Sequence, residues 1–75
     1  MKKTANSIQL KLGKKVRHLR QSKGFSQEEF AFECGLHRTY IGSIERGETS
    51  ITINSIEKIA KGLKITMSEL LDGVK

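Results

Sequence analysis

Apolar residues recur at helical spacing in several short stretches, separated by glycines. Over residues 8–23, Leu12, Val16 and Leu19 fall at i, i+4 and i+7, with the lysines on the opposite face and Ser7 as candidate cap. At Ser26-Gln27-Glu28-Glu29, Ser26 can accept from the Glu29 amide while the Glu29 carboxylate reaches back to Ser26, a capping box flanked by Phe25 and Phe30 as a hydrophobic staple. Thr66-Met67-Ser68-Glu69 repeats the device, with Ile65 and Leu70 as the staple. Between them, residues 38–46 carry Ile41 and Ile44, and residues 53–61 carry Ile56, Ile59 and Ala60, both amphipathic helices. Gly24, Gly35, Gly47 and Gly62 read as helix stops. Ile51-Thr52-Ile53 alternates, but it is too short for a sheet without a partner strand. The pattern predicts an all-α chain of four or five short helices.

At 75 residues, 36% hydrophobic and 29% charged, with no Pro or Trp, the chain is expected to form one domain over 1–75, ordered over about 7–73. A domain of this size buries only about 60% of its unfolded surface, which favours self-association and leaves little room for an enzyme's pocket. Fourteen Lys and Arg against eight Asp and Glu give +6. Residues 1–24 hold eight bases (Lys2, Lys3, Lys11, Lys14, Lys15, Arg17, Arg20 and Lys23) and no acid, so a polyanion is the expected partner. One cysteine cannot form an internal disulfide, and no apolar run approaches a signal peptide or a spanning helix, so a reducing cytoplasm and no membrane contact are expected. Cys34, His18 and His37 form no metal-ligand cluster. No cofactor fingerprint or nucleophile motif is present, and adjacent Glu28 and Glu29 cannot work as an acid/base pair, so the chain is not expected to be an enzyme.

Residues 27–46 read as helix, Gly35, helix, with Phe30, Ala31, Cys34, Leu36, Ile41 and Ile44 to fill the wedge. Ala31 lets the second helix approach, and that helix keeps one face free to enter a major groove. The run SQEEFAFECGLHRTYIGSIERG resembles the helix-turn-helix of the phage-repressor-like family of bacterial DNA-binding proteins. HRTYIGSIERG followed by TINSIEKIAKGLKI is similar to the small controller proteins of restriction–modification systems. The resemblance implies a compact five-helix repressor-like domain, a homodimer formed through the last two helices, and a double-stranded operator of paired half-sites. Pairing of dimers on DNA and a contact with RNA polymerase are further expectations.

With Ile41 and Ile44 inward, a 100° step per residue turns Arg38, Thr39, Gly42, Ser43 and Arg46 outward and puts Tyr40 on the flank. The Arg38 fork suits guanine O6 and N7, Thr39 can bond a base or touch a thymine methyl, Tyr40 can bond a base or phosphate, and Ser43 is a weaker reader. Arg46 is assigned to phosphate; for Ser43 and Arg46 plain solvent exposure is the competing reading. Gln27 matches the family position that touches phosphate and sometimes a base, at a helix N-terminus that attracts phosphate. Thr52, Asn54 and Ser55 either hold a second phosphate or only cap their helix. Arg20 and Glu45 match positions that form a buried structural salt bridge. His37 departs from the usual capping residue, although a neutral imidazole can accept, and Glu48 and Thr49 stand where controller relatives carry bases.

The expected function is therefore a sequence-specific DNA-binding transcriptional regulator, autoregulating a restriction–modification operon as a homodimer. A phage-type repressor or antitoxin would look alike. A nonspecific nucleoid protein and a membrane-surface binder built on residues 8–23 are the other classes, the latter lacking an aromatic on its apolar face.

Overall fold

The computed structural model describes residues 7–74, so the expectations for Lys2 and Lys3 lie outside the described residues. Five helices follow in order: α1 (Ser7–Ser22), α2 (Gln27–Cys34), α3 (Arg38–Glu45), α4 (Ile53–Leu63) and α5 (Met67–Leu71). Ile51 and Thr52 lead into α4 without pairing as a strand, and no strand occurs among the described residues.

Both capping boxes form. Ser26 Oγ accepts from the Glu29 amide at 3.0 Å and the Ser26 amide donates to Glu29 at 2.8 Å; Thr66 and Glu69 do the same at 3.0 and 2.8 Å. These bonds hold the Glu29 and Glu69 carboxyls below their ordinary range, because the accepting form is the charged one. The Phe25 and Phe30 rings meet 5.9 Å apart, so the staple sets the angle at which the chain enters α2.

The core collects one stripe from each helix: Leu12 and Val16 from α1, Phe30 and Ala31 from α2, Ile41 and Ile44 from α3, Ile59 and Leu63 from α4, and Leu70 from α5. Cys34 lies in the same cluster. Burial pushes its thiol up to about 12, with the neighbouring Glu33 charge adding to the effect, so the sulfur packs as a small apolar group. Lys15 leaves the basic face of α1 to donate from Nζ to the Glu69 and Asp72 carbonyl oxygens, at 2.7 and 2.5 Å, fastening the end of α5 to α1. A cation on the carbonyls at a helix C-terminus also suits the helix dipole.

Gly35 takes a left-handed φ of 70° at the turn after α2, as expected. Gly62 corrects the reading made from sequence: it lies inside α4, and the helix ends at Lys64, a non-glycine residue with φ 61°. The residue is small for a different reason. A β-carbon at Gly62 would stand 2.6 Å from Cys34 Sγ, so its absence lets α2 close on α4. Gly13 does the same for α1 against α3, where a β-carbon would overlap the Ile44 carbonyl oxygen and stand 2.8 Å from that of Glu45.

Gly13→Ala is expected to destabilise the fold by about 1–3 kcal/mol despite alanine's better helix propensity, because the obstacle is backbone. A urea titration followed by far-UV circular dichroism checks this; an unchanged midpoint would show that α1 can move aside.

Candidate nucleic-acid interface

The helix joint is closed by backbone bonds before any outward side chain is involved. After α2, the Leu36 amide donates to the Ala31 carbonyl at 2.9 Å, which pins the turn that aims α3. His37 then caps α3 with its ring, Nδ1 accepting from the Thr39 amide at 3.1 Å. The imidazole thus fills the role that the sequence leaves to an unusual residue.

Ile41 and Ile44 point inward, and Arg38 and Thr39 stand exposed on the other side of α3. Arg38 faces Glu28 across 3.7 Å with both side chains well exposed, a weak pairing that leaves the guanidinium fork available. Ser43 is half-buried and donates back to the Thr39 carbonyl at 3.1 Å. Arg46 lies just past the end of α3, its Nε donating to Glu48 Oε2 at 2.9 Å. That bond holds the Glu48 carboxyl below its ordinary range and raises the Arg46 guanidinium.

Beneath this face lies a charged and amide network. Arg20 Nε and Nη2 donate to the two oxygens of Glu45 at 2.6 and 3.0 Å, and Arg20 Nη1 donates to the Phe25 carbonyl at 2.7 Å. Both side chains are buried, as the resemblance implied. Gln27 joins the network from the first turn of α2, Nε2 donating to Glu45 Oε1 at 3.0 Å. Its amide oxygen lies 3.7 Å and Arg46 Nη1 lies 3.1 Å from where a Gly42 β-carbon would sit. Gln27, Arg38, Thr39, Gly42 and Arg46 therefore line one polar concavity between α2 and α3.

Tyr40 and the start of α4 are placed differently from the outward group. The Tyr40 hydroxyl donates to Ser55 Oγ at 3.1 Å, and Thr52 Oγ1 donates to the same oxygen at 3.0 Å while accepting the Ser55 amide at 3.1 Å. Ser55 is buried, so the expectation that it holds a phosphate is corrected: its hydroxyl ties the flank of α3 to α4. Thr52 follows the capping alternative. Asn54 is exposed at the start of α4. Sequence reasoning missed the Gln27–Glu45 and Tyr40–Ser55 bonds, which join residues 18 and 15 apart and leave no local signal.

Among the described residues, no group of three or more His, Cys, Asp or Glu is placed to hold a metal ion, and no helix is long and apolar enough to cross a membrane. What the joint offers is a guanidinium, a hydroxyl, an amide and a second guanidinium around a helix with room in front of it. A glycine turn joining two helices, the second outward-facing and polar, defines the helix-turn-helix class.

The chain belongs to the helix-turn-helix family, whose pattern matches residues 16–70. Among curated relatives it is 53% identical over 68 residues to control protein C.BamHI of Bacillus amyloliquefaciens, covering 89% of this chain and 84% of that protein. It is 42% identical over 71 residues to control protein C.MunI of Mycoplasma sp, covering 93% and 96%. Among solved structures, the restriction-modification controller protein C.AhdI from Aeromonas hydrophila superposes with a TM-score of 0.80 at 44% identity, covering 83% of this chain and 90% of that one.

Two carboxylates beside arginines should behave oppositely. Glu45→Ala strands the buried Arg20 charge and is expected to lower stability by about 3–5 kcal/mol, whereas Glu48→Ala breaks an exposed pair and should leave the thermal midpoint unchanged. Differential scanning calorimetry compares them, and equal small losses would show that Arg20 finds solvent.

Proposed function

We propose that this protein is a sequence-specific DNA-binding transcriptional regulator, the controller of a restriction–modification operon, acting as a homodimer. The observation that carries the reading is the outer face of α3. Arg38 and Thr39 are exposed at the start of a helix held rigidly on a glycine turn, with Gln27 and Arg46 flanking an open polar concavity. Such a helix matches a major groove in width and presents a guanidinium suited to guanine. The net charge of +6 favours a polyanion, and the names of the relatives agree on a control function.

Arg38, Thr39, Tyr40 and Ser43 are assigned to base readout, Tyr40 and Ser43 as acceptors while their hydroxyl hydrogens stay bonded within the protein. Gln27, Arg46, Thr52 and Asn54 are assigned to the phosphate-bearing rim. The chain works by binding and not by catalysis, in the cytoplasm, through the five-helix domain of the described residues. The protein's own concentration is the input, because dimer assembly makes occupancy rise steeply with monomer level. Pairing of dimers and contact with RNA polymerase belong to the same proposal and rest on the family resemblance alone.

The dimer contact is assigned to the last two helices and the segment leading into them, where Ile51, Ile65 and Met67 are half-buried and Leu71 is exposed. Ile59, Leu63 and Leu70 are fully buried in the core, so they support the monomer, while Leu71 remains exposed enough to meet a second copy.

Arg38→Ala should cost about 1–3 kcal/mol on the preferred duplex and relax choice at one base pair, whereas Arg46→Ala should weaken all duplexes alike and reduce the salt slope by about one. Gel-shift titrations on preferred and scrambled duplexes separate the two, and equal loss on both for Arg38→Ala removes Arg38 as a reader. Sedimentation velocity should find the parent chain dimeric at concentrations where Leu71→Lys is monomeric and still helical; a dimeric Leu71→Lys would relocate the interface.

A further inference from the structure

Beyond the last turn of α3 the chain closes on itself through its backbone. Gly47 takes a left-handed φ of 73°, its amide donates to the Ile44 carbonyl at 3.0 Å, and the Glu48 amide donates to the Ser43 carbonyl at 2.9 Å. These are the two bonds by which a glycine ends a helix, and they satisfy carbonyls that the helix itself leaves open. A β-carbon at residue 47 would also stand 2.6 Å from Leu10 Cδ2 of α1, so the turn keeps its glycine for two reasons. Glu48 is therefore placed by backbone bonds, directly after the turn and beside Arg46.

The ion pair between them occupies one edge of the guanidinium. Arg46 Nε donates to Glu48 Oε2 at 2.9 Å, and Nη1 lies on the opposite edge of the same plane. That second edge turns back over α3, with Nη1 standing 3.1 Å from where a Gly42 β-carbon would sit. Arg46 thus borders the concavity shared with Gln27, Arg38 and Thr39, although its own backbone lies past the end of the helix. An acid beside a duplex repels phosphate, which weakens binding. A long exposed arginine has a different weakness, since its rotamer freedom is lost when it binds. The Glu48 carboxylate trades one for the other: it brings a negative charge to the rim, and it fixes in advance the arginine that would otherwise have to be ordered by the duplex.

We infer that Glu48 is a positioning residue for DNA binding: held by the glycine turn, it clamps Arg46 Nε and presents the Nη1 edge of the guanidinium in front of Gly42. This inference rests on the DNA-binding reading and deepens it, because Glu48 acts through Arg46 and touches no DNA itself. It also gives a use to an acid that stands where controller relatives carry bases.

Removing an acid from a DNA-binding surface ordinarily tightens binding, so a clamp predicts the opposite sign. Gel-shift titrations of the full-length chain, on a duplex that it selects from a random pool, should find Glu48→Ala about three- to fivefold weaker than the parent. Glu48→Gln keeps an accepting oxygen at the same reach and drops the charge, and it should recover most of that loss. On an Arg46→Ala background, Glu48→Ala should weaken binding no further, the two losses failing to add. The inference is overturned if Glu48→Ala binds as tightly as the parent or more so, if Glu48→Gln is no better than Glu48→Ala, or if the loss persists without Arg46. The regulator reading stands in each of those cases. If the parent chain itself selects no sequence, both fall.

Discussion

The buried pair of Arg20 and Glu45 is the constraint on which the remaining geometry depends. Taking two charges out of water is costly, and the cost is offset only when their hydrogen-bonding groups are satisfied. Arg20 donates from Nε and Nη2 to the carboxylate and from Nη1 to the Phe25 carbonyl, and Glu45 also receives Gln27. No buried side-chain nitrogen or oxygen among the described residues lacks a partner. The pair reaches α1, the segment before α2, α2 itself and the last turn of α3. The inward Ile41 and Ile44 set which side of α3 faces the core, and the planar guanidinium adds a directional two-bond tie at the last turn of that helix.

Much of this architecture was legible because it is written locally. A capping box and its staple lie within six residues, and their bonds form wherever the backbone turns into a helix, so the starts of α2 and α5 could be read directly. The outer face of α3 followed from the inward isoleucines and the helical step. Glycine was harder to read. Gly35 and Gly62 are the same residue doing different work: one supplies a left-handed turn, while the other supplies the absence of a side chain opposite Cys34. Only knowledge of the neighbour distinguishes them. A glycine within the helical run of α1, Gly13, carried the same message, since such a residue weakens a helix unless another chain must come close.

The site was legible as a face and less so as a set of free groups. Helical spacing says which side chains point away from the core; it does not say which of them already have partners. Tyr40 and Ser43 lie where expected, yet their hydroxyls bond Ser55 and the Thr39 carbonyl. Ser55 stands at the start of a helix, where holding a phosphate and capping are both open to it, but two hydroxyls converge on it beneath the surface. Lys15 sits in a basic run and holds the end of α5. In each case the missing information is a contact across the fold, invisible to composition or period.

Satisfying the core also fixes a side chain at the rim of the concavity between α2 and α3. Glu45 needs donors to lie buried, and Gln27 is one of them. The same bond that completes the carboxylate's shell removes the freedom of an amide that would otherwise rotate and accept or donate at will. Tethered through its nitrogen, it presents one pattern, and the entropy of choosing that orientation is lost on folding and not on binding.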